Sequence, residues 1–170
     1  MNLILSKRAF FEIEQECLKY PDVETGGILI GKHTSRDIIV PFVVGSGAAA
    51  KRTASRFEPD INWQQKLLDQ CFENHGLNYV GSFHRHFGNF CCPSSMDYEA
   101  ALHILTDPNW AIDRAVFPII LINKETLVIY PYYISREEPT FQLMTMSLVD
   151  DNLPPIASII KKEGATCPES

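Results

Sequence analysis

The chain has 170 residues, of which 45% are apolar and 21% charged, proportions that are typical of one globular domain. Charged residues interrupt every apolar run before it reaches the roughly 18–20 residues of a membrane-spanning helix, so we expect no membrane partner. Asp and Glu outnumber Lys and Arg by 21 to 15, which gives a net charge of -6. This charge repels nucleic-acid phosphates, so we expect no nucleic-acid partner.

The N-terminus and the cysteines indicate the cellular compartment. The residues up to the basic pair Lys7 and Arg8 lack the basic, apolar and cleavage regions of a secretory signal, so we expect a cytoplasmic protein. The five cysteines are odd in number and contain no C-x-x-C pair, which predicts neither a disulfide framework nor a zinc ribbon. Cys91 and Cys92 are adjacent, and side chains of consecutive residues are poorly placed to bind one ion.

The first half of the chain alternates helical and strand patterns. Ser6 and Asp60 can each cap the start of an amphipathic helix, and Gly76 is a natural helix terminator. Short apolar runs bounded by Gly and Pro predict strands, whereas a stretch of small and basic residues predicts a mobile loop. The predicted elements are a helix over 6–20, strands over 24–31 and 38–44, a loop over 45–57 and a helix over 60–76.

The second half contains one more helical pattern between apolar strand patterns. The predicted elements are a strand over 78–83, a loop over 87–93, a helix over 96–105 and strands over 115–122 and 126–134, which 123–125 would join as a hairpin. An apolar stretch follows over 141–149. The element order predicts an α/β fold with a single mixed β-sheet flanked by helices.

We predict three parts along the chain. Residues 1–135 would form the domain, 136–160 a C-terminal extension, and 161–170 a disordered tail that is rich in polar residues.

His84 and His86 end an apolar strand pattern and indicate a metal site. Side chains two residues apart in a strand share a face, so both imidazoles would point to one side and Arg85 to the other. Asp97, in the first turn of the following helix, can return to this pair across the intervening loop. Zinc binds neutral imidazole and carboxylate, and a catalytic site keeps a fourth position open to water.

The same residues also have a purely structural interpretation. His-x-His can be two surface histidines, and Ser94 to Asp97 matches the S/T-x-x-[DE] pattern of a helix capping box. Capping explains Ser94 and Asp97 but not the two histidines that close an apolar strand. Spacing alone leaves both interpretations open.

Taken together, these residues resemble the JAMM motif of the JAB/MPN (Mov34/MPN/PAD-1-like) zinc metalloprotease family, in its prokaryotic branch. The motif consists of His84-x-His86, seven residues, Ser94, two residues and Asp97, with Glu24 opening an earlier strand. The resemblance covers about residues 3–134, including Arg56 to Asp60 and the Pro93-Ser94 pair. Two positions depart from the family: Arg85 replaces a small residue, and Phe87 replaces a proline.

The resemblance implies one Zn²⁺ per chain, held by His84, His86 and Asp97 with water as the fourth ligand. Glu24 would act as general base, and Ser94 would donate its hydroxyl to the oxyanion. The family cleaves peptide or isopeptide bonds after the C-terminal tail of ubiquitin-like proteins. The implied partners are such a protein or its conjugate, together with the activating-like and conjugating-like enzymes of bacterial conjugation or antiphage systems.

Three other interpretations have to be weighed against this one. Many MPN domains lack the metal ligands and act as scaffolds in large complexes, whereas this chain has the complete ligand set. A zinc nucleobase deaminase would need H-x-E and P-C-x-x-C, and both patterns are absent from the sequence. A branch associated with DNA repair shares the JAMM spacing, but the acidic charge and the lack of a preceding helix-hairpin-helix segment argue against it.

Overall fold

A computed structural model describes residues 1–124 and 126–151 of the chain. The helices are α1 (Lys7–Lys19), α2 (Ile61–His75) and α3 (Ser95–Thr106). The first six strands are β1 (Asn2–Ser6), β2 (Thr25–His33), β3 (Asp37–Val44), β4 (Lys51–Arg52), β5 (Phe57–Glu58) and β6 (Asn78–Arg85). The remaining strands are β7 (Arg114–Val116), β8 (Ile119–Asn123), β9 (Thr126–Tyr130), β10 (Tyr132–Ser135), β11 (Gln142–Leu143) and β12 (Thr145–Val149).

The main sheet has the strand order β11-β10-β7-β6-β2-β3-β1-β12, with β8 added beside β6 and β9 beside β8. Parallel pairs, such as β1 with β3, and antiparallel pairs, such as β2 with β6, occur in the same sheet. The predicted α/β fold with a mixed sheet flanked by helices is therefore confirmed. Strand β6 lies near the middle of this sheet.

The helices cover the two faces of the sheet. On one face, Ala9, Ile13 and Cys17 of α1 pack against Leu3 and other buried residues of the sheet. On the opposite face, the alternate residues of the same strands pack against α2 and α3. The two hydrophobic layers hold the central strands from both sides.

The helix ends follow the predicted capping residues. The Ser6 hydroxyl accepts a hydrogen bond from the Ala9 amide, and the Asp60 carboxylate accepts one from the Trp63 amide. Gly76 ends α2 in the left-handed conformation, with φ of 63°, which a residue without Cβ adopts at little cost.

The predicted hairpin over 115–134 is confirmed in its antiparallel pairing, of β8 with β9 and of β7 with β10, but both of its strands are interrupted. The structure divides each of its two strands in two, β7 from β8 at Pro118 and β9 from β10 at Pro131. Proline has no N–H to donate to a sheet ladder, so each strand is interrupted there. Glu125, in the predicted turn, lies outside the described residues.

Two further segments differ from the prediction. The sequence analysis assigned no strand before α1, whereas residues 2–6 form β1, which pairs in parallel with β3 and β12. The segment predicted as a mobile loop contains β4 and the start of β5, and Arg52 in it pairs at 3.7 Å with Glu16 of α1. This segment is therefore anchored to the domain.

The described part of the predicted extension belongs to the main sheet. Strand β12 lies against β1, and β11 against β10. The boundary at residue 135 stays a prediction, and residues 152–160 and the predicted tail 161–170 lie outside the described residues. Among residues 1–124 and 126–151, none of the helices combines the length and the apolar character that a membrane crossing requires.

Candidate metal centre

The end of β6 holds the two histidines between two neighbouring strands. Residue His84 is opposite Gly26 of β2 on one side and Ile119 of β8 on the other. Its amide donates to the Pro118 carbonyl at 3.0 Å, and the His86 amide donates to the Ile120 carbonyl at 3.1 Å. Pairing on both sides gives the imidazoles a rigid backbone.

The N-terminus of α3 supplies the carboxylate. Ser94 and Asp97 form a capping box, in which the Asp97 amide donates to Oγ of Ser94 at 3.2 Å. The Ser94 amide and hydroxyl both donate to Oδ2 of Asp97, each at 2.6 Å. The cap therefore fixes the Asp97 side chain towards the histidines, so capping and metal binding are compatible uses of these residues.

His84, His86 and Asp97 come together as a candidate metal site. One ligand atom from each of them lies within 4.8 Å of the others. Nδ1 of His84 lies 2.8 Å from Oδ1 of Asp97, and Nε2 of His86 lies 3.2 Å from Oδ2. Two imidazole nitrogens and one carboxylate oxygen form a donor set that suits zinc.

Hydrogen bonding around His86 supports the fit to a metal. Nδ1 of His86 lies 2.9 Å from the Phe90 carbonyl, which can only accept, so Nδ1 carries the proton. In the neutral tautomer with its proton on Nδ1, Nε2 would present a lone pair to the Asp97 carboxylate. Two lone pairs at this distance require a proton or a metal cation between them.

Nε2 of His84 gives a second, independent indication. This atom is buried and has no aligned hydrogen-bond partner, although Oε2 of Glu24 lies only 3.3 Å away. A buried polar nitrogen without a partner is costly, and coordination to a cation would satisfy it. The residues present therefore fit a bound metal.

The charges around His84 also favour a bound cation. Burial disfavours the charged ring, but the neighbouring carboxylates of Asp97 and Glu24 outweigh this effect and raise the pKa of His84 to about 9. Burial also opposes ionisation of Asp97, but its contacts with His84, His86 and Ser94 hold the pKa of Asp97 well below its usual range. The centre thus favours positive charge.

A cavity of about 360 Å³ opens beside the centre. Glu24, His84 and Asp97 form its polar end. Most of the other walls are apolar, from the loop, the sheet and α3: Phe57, Phe83, Ala100, Ile104, Phe117 and Ile119. The cavity can therefore accept an apolar group next to the metal ligands.

The structure brings together all five residues that the sequence analysis selected. Glu24 contacts His84, both histidines contact Asp97, and Ser94 contacts Asp97. The sequence analysis missed the Phe90 carbonyl, because a backbone acceptor in a loop has no residue-type signature. It placed Arg85 on the opposite face of the strand and noted it as a departure from the family, and the contacts of that side chain are described below.

The chain matches no protein-family model. It is 28% identical over 123 residues to a CD-NTase/cGAS isopeptidase of Enterobacter hormaechei subsp. hoffmannii (strain UCI 50), a match that covers 71% of this chain. It is also 28% identical over 109 residues, or 62% of the chain, to a probable metalloprotease of Sinorhizobium fredii (strain NBRC 101917 / NGR234). The matched segments span 66% and 58% of these relatives, less than two thirds of either.

A solved structure shares the fold. The solution structure of a Desulfitobacterium hafniense protein superposes with a TM-score of 0.65 over 87% of this chain and 93% of that one. The two sequences are 19% identical, so this likeness concerns the fold alone. The sequence relatives, by contrast, are named as an isopeptidase and a metalloprotease.

Proposed function

We propose that this protein is a JAMM-type zinc metallopeptidase that cleaves a peptide or isopeptide bond after the C-terminal tail of a ubiquitin-like protein. The observation that carries the proposal is the meeting of His84, His86 and Asp97, with ligand atoms within 4.8 Å, at a point that the Glu24 carboxylate also reaches. Sequence relatives named as an isopeptidase and a metalloprotease support the same reaction class.

Each residue has a role that fits its position. His84, His86 and Asp97 would hold one Zn²⁺. Zinc acts as a Lewis acid and lowers the pKa of water towards 7. Glu24 would accept the proton of the attacking water and deliver it to the leaving amine, since its carboxylate lies at the edge of the ligand cluster.

Ser94 would stabilise the negative charge that develops on the carbonyl oxygen of the substrate. In the structure its hydroxyl donates to Asp97, and this contact keeps the side chain next to the ligand cluster. A donor at this place can contribute a few kcal/mol to transition-state stabilisation. The helix cap requires Oγ of Ser94 as a hydrogen-bond acceptor, whereas the proposed catalytic role requires its hydroxyl as a donor.

The cavity beside the centre indicates where the substrate chain would lie. Its polar end is formed by the residues proposed for catalysis, and its walls near Ala100 and Ile104 are apolar. A peptide held at the centre could place one apolar side chain there, which would bury that side chain and favour binding. We therefore expect the substrate tail to carry an apolar residue near the scissile bond.

The cellular setting follows from the resemblance and from one relative. The Enterobacter relative is named as a CD-NTase/cGAS isopeptidase. We propose that this protein acts on a conjugate of a ubiquitin-like protein or a CD-NTase-type protein. It would act beside activating-like and conjugating-like enzymes in a bacterial conjugation or antiphage system.

The proposal is tested by cleavage of defined fusions. The zinc-loaded protein is incubated with a ubiquitin-like protein or a CD-NTase joined through its C-terminus to an amine, with and without a chelator. Cleavage at the C-terminal residue that stops with chelation and returns with Zn²⁺ is expected. Zinc binding without cleavage of any fusion would contradict the proposed peptidase activity, and a lack of zinc binding would favour the scaffold interpretation.

A further inference from the structure

Arg85 lies between the two histidines in the sequence but on the opposite face of β6. Its side chain is buried, with 4% of the residue exposed. The guanidinium donates to three backbone carbonyls: Nη1 to Tyr20 at 2.8 Å and to Val23 at 2.5 Å, and Nη2 to Pro21 at 2.5 Å. One planar side chain thus binds most of the segment that connects α1 to Glu24.

This segment determines where Glu24 lies. Residues 20–23 form the connection that leaves the end of α1, and Glu24 follows directly. The next residue, Thr25, is opposite Arg85 in the β2–β6 pair. The backbone of Arg85 thus pairs with the residue after Glu24, and its guanidinium holds the residues before it.

The other support of Glu24 is one backbone hydrogen bond. Its amide donates to the Thr53 carbonyl at 2.8 Å, in the segment that precedes β5. The carboxylate itself contacts His84 at 3.3 Å. A shift of the 20–23 connection would therefore move the carboxylate relative to the ligand cluster.

A buried guanidinium is an expensive way to stabilise a turn, because a charge has to leave water for neutral carbonyls. Burial also lowers the pKa of Arg85, an effect that the nearby Cys17, Asp22 and Glu24 oppose. Lysine could not replace it fully, since an ammonium is a point donor without the planar fork that reaches several carbonyls. The arrangement is specific to arginine.

We infer that Arg85 is a positioning residue, which fixes the 20–23 connection so that the Glu24 carboxylate lies at His84. The strand that carries the metal ligands would thereby also set the place of the proposed general base. The consequence for turnover rests on the proposed function, whereas the consequence for the backbone does not.

The backbone part is tested by hydrogen exchange of the metal-free protein. Arg85→Ala should speed exchange of the Glu24 amide at least about tenfold, because the segment loses three charge-assisted hydrogen bonds. The amides inside α3 should keep their wild-type rates. Unchanged exchange at Glu24 would overturn the inference whether or not the protein is an enzyme.

Arg136 provides a matched control. Its guanidinium also donates to backbone carbonyls, to Leu105 at 2.9 and 2.6 Å and to Ile112 at 3.0 Å, between the end of α3 and β7. Arg136→Ala removes a similar set of bonds elsewhere in the fold. It should speed exchange near 105–113 and leave the Glu24 amide and turnover unchanged.

The catalytic part is tested with the zinc-loaded enzyme. Arg85→Ala should lower kcat about tenfold or more with unchanged KM and zinc content, and Arg85→Lys should lie between it and the wild type. In a Glu24→Gln background, Arg85→Ala should cause no further loss, because its effect passes through Glu24. A further loss of kcat in that background would show that Arg85 only stabilises the fold. The same conclusion would follow if Arg85→Ala and Arg136→Ala changed kcat equally.

A failure of the proposed function can be told apart from a failure of the inference about Arg85. If the wild type cleaves nothing, the proposed function fails, and hydrogen exchange still decides the role of Arg85 in the backbone. If Arg85→Ala does not fold, Arg85→Lys takes its place in both measurements. Wild-type exchange and wild-type kcat in Arg85→Lys would then contradict the need for the planar fork.

Discussion

Oε2 of Glu24 lies 3.3 Å from Nε2 of His84, although the first residue precedes β2 and the second lies near the end of β6. The antiparallel pairing of these strands places Gly26 opposite His84, and this register brings the carboxylate to the ligand cluster. A carboxylate at this place would serve the proposed proton transfer, and its negative charge also makes the site attractive to a cation.

Glu24→Gln separates these two uses of the carboxylate. The amide keeps the shape of the side chain but cannot accept a proton, so we expect turnover to fall about 10²–10⁴-fold. Zinc content and melting temperature should remain close to those of the wild type, because the three proposed ligands are intact. Kinetics on a cleavable fusion, with metal analysis of the same sample, measures both.

Glu73→Gln is the matched control for this substitution. Glu73 is an exposed glutamate of α2 that does not line the cavity. Turnover should stay at the wild-type level, because this change leaves the ligand cluster, Glu24 and the cavity untouched. Wild-type turnover in Glu24→Gln would remove that residue from the mechanism.

Ser94 is tested by substitutions that separate the cap from the hydroxyl. Ser94→Ala should cost about 1 kcal/mol of unfolding free energy, whereas Ser94→Gly should cost only a few tenths, since glycine is a tolerable N-cap. Both lack the hydroxyl, so both should lose turnover about 10²–10³-fold if it stabilises the oxyanion. Denaturant unfolding measures the loss of stability, and kinetics on a cleavable fusion measures the loss of turnover. Zinc content is checked in each variant, because Ser94 also contacts Asp97. An active, zinc-loaded Ser94→Gly protein would leave Ser94 only a structural role.

Ala100→Phe tests whether the cavity binds substrate. The larger side chain would enter the wall that Ala100 forms on α3, so kcat/KM should fall about tenfold or more with zinc content unchanged. Glu99→Phe adds the same ring one position earlier on the helix, at an exposed residue that does not line the cavity, and should change little. Equal kcat/KM values for the two variants would contradict the proposed substrate path.

The sequence allowed much of the site to be predicted because its signals are local. A period of two places His84 and His86 on one face of a strand, and the S-x-x-D pattern places Asp97 at the start of a helix. The structure shows that one carboxylate takes part in the cap and in the ligand cluster together. The metal itself and the roles of these residues stay predictions.

The unpredicted parts depend on contacts between distant segments. Strand β1 has only five residues and passes directly into α1 at Ser6, so its partners, β3 and β12, determine that it is a strand. The buried position of Arg85 depends on carbonyl groups of residues 20–23, which any sequence would provide. The strand breaks at Pro118 and Pro131, in contrast, had a visible local cause that the apolar pattern obscured.

The metal content of the purified protein tests the central claim most directly. We expect close to one zinc per chain, with strong loss in His84→Ala and in Asp97→Ala, because each removes one of only three protein ligands. His103→Ala, which removes an exposed histidine of α3, should keep the full content. Full zinc occupancy in both ligand variants, or no zinc in the wild type after exposure to the metal, would contradict the account.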